Sequence, residues 1–324
     1  LRRTKKEIAD QLPGRIDKHF FVELTKEQKA DHQSYYDIVS QLVNKWVRTG
    51  TLSEKDRERL LLSLNCMRMV CDSTYILNQN TNHGNKIHEL TDLLSELLED
   101  SDNKIVIFSQ WKRMFDLVIA ELEKLNIEFV YLNGDIPAKQ RNEIISAFQK
   151  QQEIRLFLST DAGGVGVNLQ KANVLINMDL PWNPAVLEQR IGRIYRLGQK
   201  KHVSIFNFIA KYSIEHRILH LLDFKKSVFA GTIDGEGKDE IMLESFLESV
   251  KALTDVNLQD DAEKDSGWIT VQKTGYRDGL AEEVNEQVLS KYQTEEKENV
   301  KSTPSASRNN PNPKGKMGFF KRIG

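Results

Sequence analysis

Cysteine is almost missing from this sequence: Cys66 and Cys71 are the only two in 324 residues. Five positions apart in an apolar helical run, they make neither a C-x-x-C pair nor a disulfide framework. They read as buried free thiols in a reducing cytoplasm. Long apolar runs are missing too. None approaches the roughly 20 residues that span a bilayer, and no signal-peptide pattern opens the chain, so no membrane contact is expected. Seven histidines are scattered without H-E-x-x-H or other metal-ligand spacing, which argues against a metal site of the protein's own. The loop G-x-x-x-x-G-K-[ST], which cradles nucleotide phosphates and magnesium, occurs nowhere. GEGK at 235–238 lacks both the following hydroxyl and the leading strand. No acidic pair follows a strand as a magnesium site would require, and there is no internal repeat.

Net charge is absent only in sum. The total of −1 hides 18 acids against 7 bases in residues 231–300, 6 bases and no acid in residues 301–324, and a net +4 over residues 1–230. A mildly basic body with an acidic extension permits nucleic-acid contact without requiring it. The chain opens on LRRTKKEIADQLP rather than on Met and is expected to be the downstream part of a longer protein.

What is present is an ordered alternation. Residues 25–78 read as helices, with Leu42, Val43, Trp46 and Val47 as one apolar stripe. From about residue 86, short apolar strands alternate with amphipathic helices. The strands are KIVIF (104–108), EFVYL (128–132), IRLFLS (154–159), VLINM (174–178) and VSIFNFI (203–209). The helices lie around 87–98, 115–125, 144–148 and 213–229, the last with Ser213 as its N-cap. This alternation predicts right-handed crossovers and a mainly parallel α/β sheet with helices on both faces. One more helix is expected at 240–253, and the end of the chain, rich in Pro, Asn, Ser and Lys, is expected to be disordered.

The segment EQRIGRIYRLGQ (188–199) is the most informative. As a helix it places Gln189, Arg193 and Arg196 at i, i+4 and i+7, on one face, with Ile191 and Ile194 as anchors. Two guanidiniums held rigidly make a fork for phosphate oxygens; a basic amphipathic helix with a solvated face is the plain alternative. Gly192 inside such a helix costs about 1 kcal/mol relative to Ala, so a close approach to the backbone is expected there.

Three polar strand ends accompany it. STDAGGVGVNLQ (159–170) offers Ser159, Thr160 and Asp161, then Gly163, Gly164 and Gly166, where backbone N–H groups could approach a phosphate or ribose. It fails the dinucleotide fingerprint, having Leu169 where the last glycine belongs, and a structural turn would also account for the glycines. FSQW (108–111) puts Ser109 and Gln110 on the same rim, with Lys112 and Arg113 close by. YLNGDIPAKQR (131–141) adds Asn133, Gly134 and Asp135. Each alone could be turn chemistry; together with the arginines they look like half of a phosphoryl-transfer site. In DLPWNP (179–184), Trp182 reads as packing and Pro184 as a first-turn residue.

These motifs, in this order and spacing, resemble the C-terminal RecA-like lobe of Swi/Snf-type helicase-like ATPases of the second helicase superfamily. FSQW resembles motif four and YLNGD…R…F its extension. LSTDAGGVGVNL with DLPWNP resembles motif five, EQRIGRIYRLGQ motif six, and SIEHRI (213–218) the start of a brace helix; the R-I-G-R form is closer to bacterial members and to general helicases. The resemblance implies an interlobe linker and helical block over 1–85, the RecA-like lobe with its brace helix over 86–230, and an acidic extension with a disordered basic tail over 231–324. It implies that Arg193 and Arg196 are arginine fingers for ATP held, with its magnesium, mainly by a first lobe upstream. Gln189 would share that cleft, and Gly164 and Gly166 would lie near the nucleotide. Ser109, Gln110, Thr160 and Asp161, with charge from Lys112 and Arg113, would line a track for double-stranded DNA. The expected whole is a cytoplasmic, nucleoid-associated DNA translocase, of which this part alone hydrolyses no ATP. An RNA- or RNA-polymerase-directed relative and a non-catalytic scaffold module are the rival expectations.

Overall fold

Runs of Val, Ile, Leu and Phe too short for helices build the centre of this molecule. In the computed structural model, residues 12–219 are described, together with Leu222, Lys251 and the segment Trp268–Thr274. The strands are β1 (Arg15–Val22), β2 (Ile105–Ser109), β3 (Phe129–Leu132), β4 (Leu156–Thr160), β5 (Val174–Asn177), β6 (Val203–Ala210) and β7 (Trp268–Thr274). They form one sheet in the order β3-β4-β2-β5-β6-β1-β7. The first six run parallel, while β7 pairs antiparallel with β1. Every residue of β2, β4 and β5 is buried, as a sheet covered on both faces demands. The helices are α1 (Lys26–Thr49), α2 (Glu54–Asp72), α3 (Thr74–Asn78), α4 (Lys86–Glu99), α5 (Lys112–Lys124), α6 (Ala138–Lys150) and α7 (Pro184–Ile191). Residues 214–219 are helical as well.

Local chemistry sets the ends of these elements. Thr25 and Gln28 make a reciprocal capping box at the start of α1, and Gly50 closes that helix in the left-handed region. Ser53 caps α2 and Asn183 caps α7, with Pro184 in its first turn as expected. Ser213 Oγ accepts the backbone N–H of Glu215 at 3.0 Å, so the expected cap before 214 is present. One face of the sheet packs Ile105, Ile107, Leu156, Leu158, Val174 and Ile176 against Leu90 and Leu94 of α4 and Met114, Phe115 and Val118 of α5.

Two strands were not expected. β1 falls in the region read as linker and helical block, and it pairs residue for residue with β6, from Arg15 beside Val203 to Val22 beside Ala210. Its buried positions begin Arg15, Asp17 and His19, so the alternation is real but carried by polar residues, which an apolar pattern misses. The sheet therefore crosses the boundary expected at 85/86. β7 lies in the acidic extension. The rest of the helix expected beyond Leu222, the helix at 240–253 (Lys251 apart), the opening LRRTKKEIAD and the basic tail lie outside the described residues.

Candidate active site

Six parallel strands place their carboxyl ends on one rim, the edge at which open α/β sheets receive ligands. Ser109 ends β2, Thr160 ends β4 and Asn177 ends β5, so the polar strand ends do converge. Asp179 follows at the same edge, fully buried.

One arginine organises this rim. Arg190, in the last turn of α7, donates from Nε and Nη2 to the two carboxylate oxygens of Asp161 at 2.6 and 2.8 Å. Its Nη2 also reaches Asp179 Oδ1 at 3.0 Å, and Nη1 reaches the Asp179 carbonyl at 2.8 Å and Asn177 Oδ1 at 3.2 Å. That accounts for all the N–H groups a guanidinium has. Asp179 Oδ2 accepts from the Ser109 hydroxyl at 2.6 Å and from the Gln110 backbone N–H at 2.8 Å. Burial opposes both charges, and the pairing more than offsets it: Asp179 and Asp161 raise the pKa of Arg190, while Arg190 and Arg68 lower that of Asp179. Arg68 of α2 donates to the Leu180 carbonyl at 2.8 Å, and its guanidinium carbon lies 5.6 Å from the ring centroids of both Trp111 and Trp182. A second buried cluster braces the same edge. Lys86 Nζ donates to Asp72 and Glu215 at 2.7 Å each and to the Met178 carbonyl at 2.6 Å. Burial drives the pKa of Asp72 well up despite the lysine.

The arginine segment departs from its expected form. α7 stops at Ile191, the Gly192 N–H bonds to the Glu188 carbonyl at 2.9 Å, and residues 192–198 continue as turns. Gln189, Arg193 and Arg196 are therefore not on one helix face. Gly192 ends the helix instead of interrupting it; a Cβ there would meet only the Glu188 and Gln189 carbonyls, at 3.1 and 3.5 Å. The loop is nonetheless fixed. Ile194 and Tyr195 are buried, and the Leu169 N–H bonds to the Arg193 carbonyl at 3.0 Å. Gln199 Nε2 donates to the carbonyls of Gln170, Ala172 and Ile194 at 3.0, 2.8 and 3.2 Å. Gln170 Nε2 in turn donates to the Leu197 carbonyl, so the glycine-rich loop and the arginine loop form one platform.

Arg193 and Arg196 project from that platform. Among the described residues neither guanidinium has a hydrogen-bond or ion-pair partner. Burial and then the neighbouring charge of Arg196 lower the pKa of Arg193, which marks two cations held near each other with no anion between them. Gln189, on α7, is exposed.

The other expected residues divide between surface and interior. Gln110 and Lys112 are exposed, Lys112 in an ion pair with Asp135, and Arg113 donates to the Ile76 carbonyl at 2.6 Å. Ser109 and Thr160 are buried beneath the rim, the Thr160 hydroxyl accepting the Gly163 N–H at 3.2 Å, and Asp161 is held by Arg190. Ser109 and Thr160 thus shape the edge from beneath, while Asp161 remains partly exposed. The glycines likewise have internal reasons. A Cβ at Gly163 would overlap the Leu132 carbonyl, and one at Gly164 would lie 2.8 Å from the Phe108 ring. Only Gly166, exposed at φ +74°, needs glycine for its backbone angle. Arg190 stands in the quoted arginine segment without a role assigned to it, and Asp179, Arg68, Lys86, Asp72 and Glu215 are not singled out by the sequence. Asp179 directly after the buried run VLINM was the available signal, since a charge that close to a core strand needs a partner.

Comparison with known proteins agrees with this architecture. Residues 85–198 match the model of the helicase conserved C-terminal domain. Transcription termination factor 2 of Drosophila melanogaster is 40% identical over 155 residues, covering 47% of this chain and 15% of the relative. The human SWI/SNF-related matrix-associated actin-dependent regulator of chromatin subfamily A member 1 is 30% identical over 239 residues, 69% of this chain and 22% of the relative. This chain thus spans less than a quarter of either curated relative. Among solved structures, the Sulfolobus solfataricus SWI2/SNF2 ATPase core in complex with dsDNA superimposes with a TM-score of 0.56 at 32% identity, over 71% of this chain and 48% of that one. The chain belongs to the Swi/Snf-type helicase-like ATPases, as a RecA-like C-terminal lobe that contains their helicase C-terminal domain.

Proposed function

We propose that this lobe supplies the arginine fingers and part of the duplex track of an ATP-dependent double-stranded DNA translocase. One observation carries the reading. Arg190 spends every N–H on the fold, whereas Arg193 and Arg196, three and six residues on, stand on a braced loop with no partner among the described residues. A cation with no partner among the described residues is suited to charge that arrives with a substrate. In this reading ATP lies between this lobe and a first lobe. Arg193 and Arg196 stabilise the charge that develops on the transferring phosphoryl, and Gln189 and Gly166 border the same cleft. In this reading magnesium is held mainly by the first lobe, since Asp161 and Asp179 at this rim are engaged by Arg190.

The DNA-bound state of the Sulfolobus neighbour supports the duplex partner. Gln110, Lys112 and Arg113 would meet the phosphate backbone, on an edge shaped by Ser109, Thr160 and Asp161. ATP closes the cleft and hydrolysis opens it, so backbone contacts on the two lobes grip in turn. Such contacts position the protein and carry little sequence information.

The test uses the full-length protein. Arg193→Ala and Arg196→Ala should each lower ATP turnover by on the order of 10³-fold, as finger removal does in comparable enzymes. That corresponds to about 4 kcal/mol in the barrier. Lys at either position should rescue poorly, because a point charge cannot reproduce the planar fork. Turnover near wild type in both Ala variants would leave the loop a structural element only.

A further inference from the structure

We propose that Arg15, on the first strand of the sheet, is a positioning residue that aims the arginine loop by clamping Tyr195. The proposal rests on the catalytic reading of Arg193 and Arg196 and names the contact that holds them. A turn-built loop has no helical ladder to set the direction of its side chains, so its anchors do. Tyr195 sits between the two free arginines in sequence, yet it is buried. The Arg15 guanidinium lies 5.7 Å from the centroid of its ring, within cation–π range.

Arg15 is itself held on three sides. Its Nε and Nη2 donate to the two oxygens of Asp17 at 2.6 and 2.5 Å, which fixes the guanidinium plane. Its Nη2 and Nη1 reach Glu188 Oε1 and Oε2 at 3.3 and 3.5 Å, longer than the 2.7–2.9 Å or so of a strong charge-assisted bond. Glu188 is on α7, immediately before Gln189 and Arg190. One buried guanidinium therefore joins β1, α7 and the arginine loop. The Asp17 contact lies within β1 and the longer Glu188 contact reaches α7, so Arg15 ties the helix to the strand. β1 lies within the region read as interlobe linker and helical block. A displacement of that strand would reach the ring of Tyr195 through one side chain.

The test is a set of variants in the full-length protein, each compared with Arg193→Ala. Arg15→Met and Tyr195→Leu should lower kcat by about 10- to 100-fold, the scale of a small misplacement of catalytic groups, with KM for ATP and duplex affinity changed less than about two-fold. Tyr195→Phe keeps the ring and should retain wild-type turnover. The double variant Arg15→Met with Tyr195→Leu should lose no more than the worse single, because the two residues act through one contact. Should Arg193→Ala abolish turnover while Arg15→Met and Tyr195→Leu leave it intact, the clamp is wrong and the finger reading stands. Should Arg193→Ala itself leave turnover intact, the finger reading fails first. A kcat loss in Tyr195→Phe equal to that in Tyr195→Leu, or strictly additive losses in the double variant, also overturns the clamp.

Discussion

Arg190, Arg193 and Arg196 lie within seven residues, and the carboxylates around them divide their labour. Asp161 and Asp179 take Arg190 into the core, where its charge is stabilised by partners that are themselves buried or half-buried. Removing one partner leaves the other charged and unsolvated. Asp179→Ala should therefore destabilise the chain by about 3–5 kcal/mol, since Arg68 loses its carboxylate partner and Arg190 keeps only Asp161. Urea denaturation followed by circular dichroism reads this as a lowered midpoint at unchanged slope. A loss below about 1 kcal/mol would mean that the network contributes nothing beyond packing. Arg193 and Arg196 were legible as phosphate-binding candidates from their spacing, which the structure does not keep on one helix face, and the resemblance supplied their finger role. Arg190 stands in the same quoted motif, but its partners are 11 and 29 residues away, and no local spacing reveals such a pairing.

At the scale of elements, most of the sheet was readable and the exceptions have physical causes. β2 to β6 follow from short apolar runs bounded by turn residues, and the observed ends differ by a residue or two from those expected. β1 hid because Arg15, Asp17 and His19 occupy its buried positions. The arginine segment was misread because Ile191 and Ile194 satisfy a helical period whether the backbone continues or turns. The junction between α1 and the helical turn after β6 supplies its own prediction. His32 is buried, accepts the Ile214 N–H at Nε2 at 3.0 Å, and has its pKa lowered from 6.5 to about 4 by burial, with Arg217 adding to the effect. Above pH 6.5 both folded and unfolded states hold a neutral ring, and the group costs nothing. As pH falls from 6.5 towards 4, the unfolded chain takes up a proton that the folded one refuses, so stability falls. The total is on the order of 3 kcal/mol. His32→Gln, which keeps an acceptor without a titrating base, should flatten stability measured from pH 7 to 4 relative to wild type. An unchanged slope would show that His32 is accessible to protons in the folded state.

At the scale of the whole molecule, the proposed division of labour gives the arginines to this lobe and the nucleotide phosphates to a first lobe. The sequence lacks the phosphate loop, so the purified chain should release no phosphate from ATP with magnesium and duplex DNA, and DNA-stimulated turnover by it would contradict the account. Binding to duplex should be weak, indifferent to sequence and lost as salt rises. Lys112→Glu should reduce the salt slope by about one and leave sequence preference unchanged; Arg113 is left intact because it holds the Ile76 carbonyl. Equal affinity before and after that substitution would put the track elsewhere. The central claim is that Arg193 and Arg196 bind charge present in the transition state and largely absent from bound ATP. Its most direct test compares, in the full-length protein, the affinities of wild type, Arg193→Ala and Arg196→Ala for ATP and for ADP with aluminium fluoride, a mimic of the transferring phosphoryl. An interaction made only in the transition state is lost selectively from such a mimic. The account predicts that analogue affinity falls by at least about 100-fold while ATP affinity changes by less than about 5-fold, within the span of finger contributions. Equal losses for both ligands, or none for either, would contradict it.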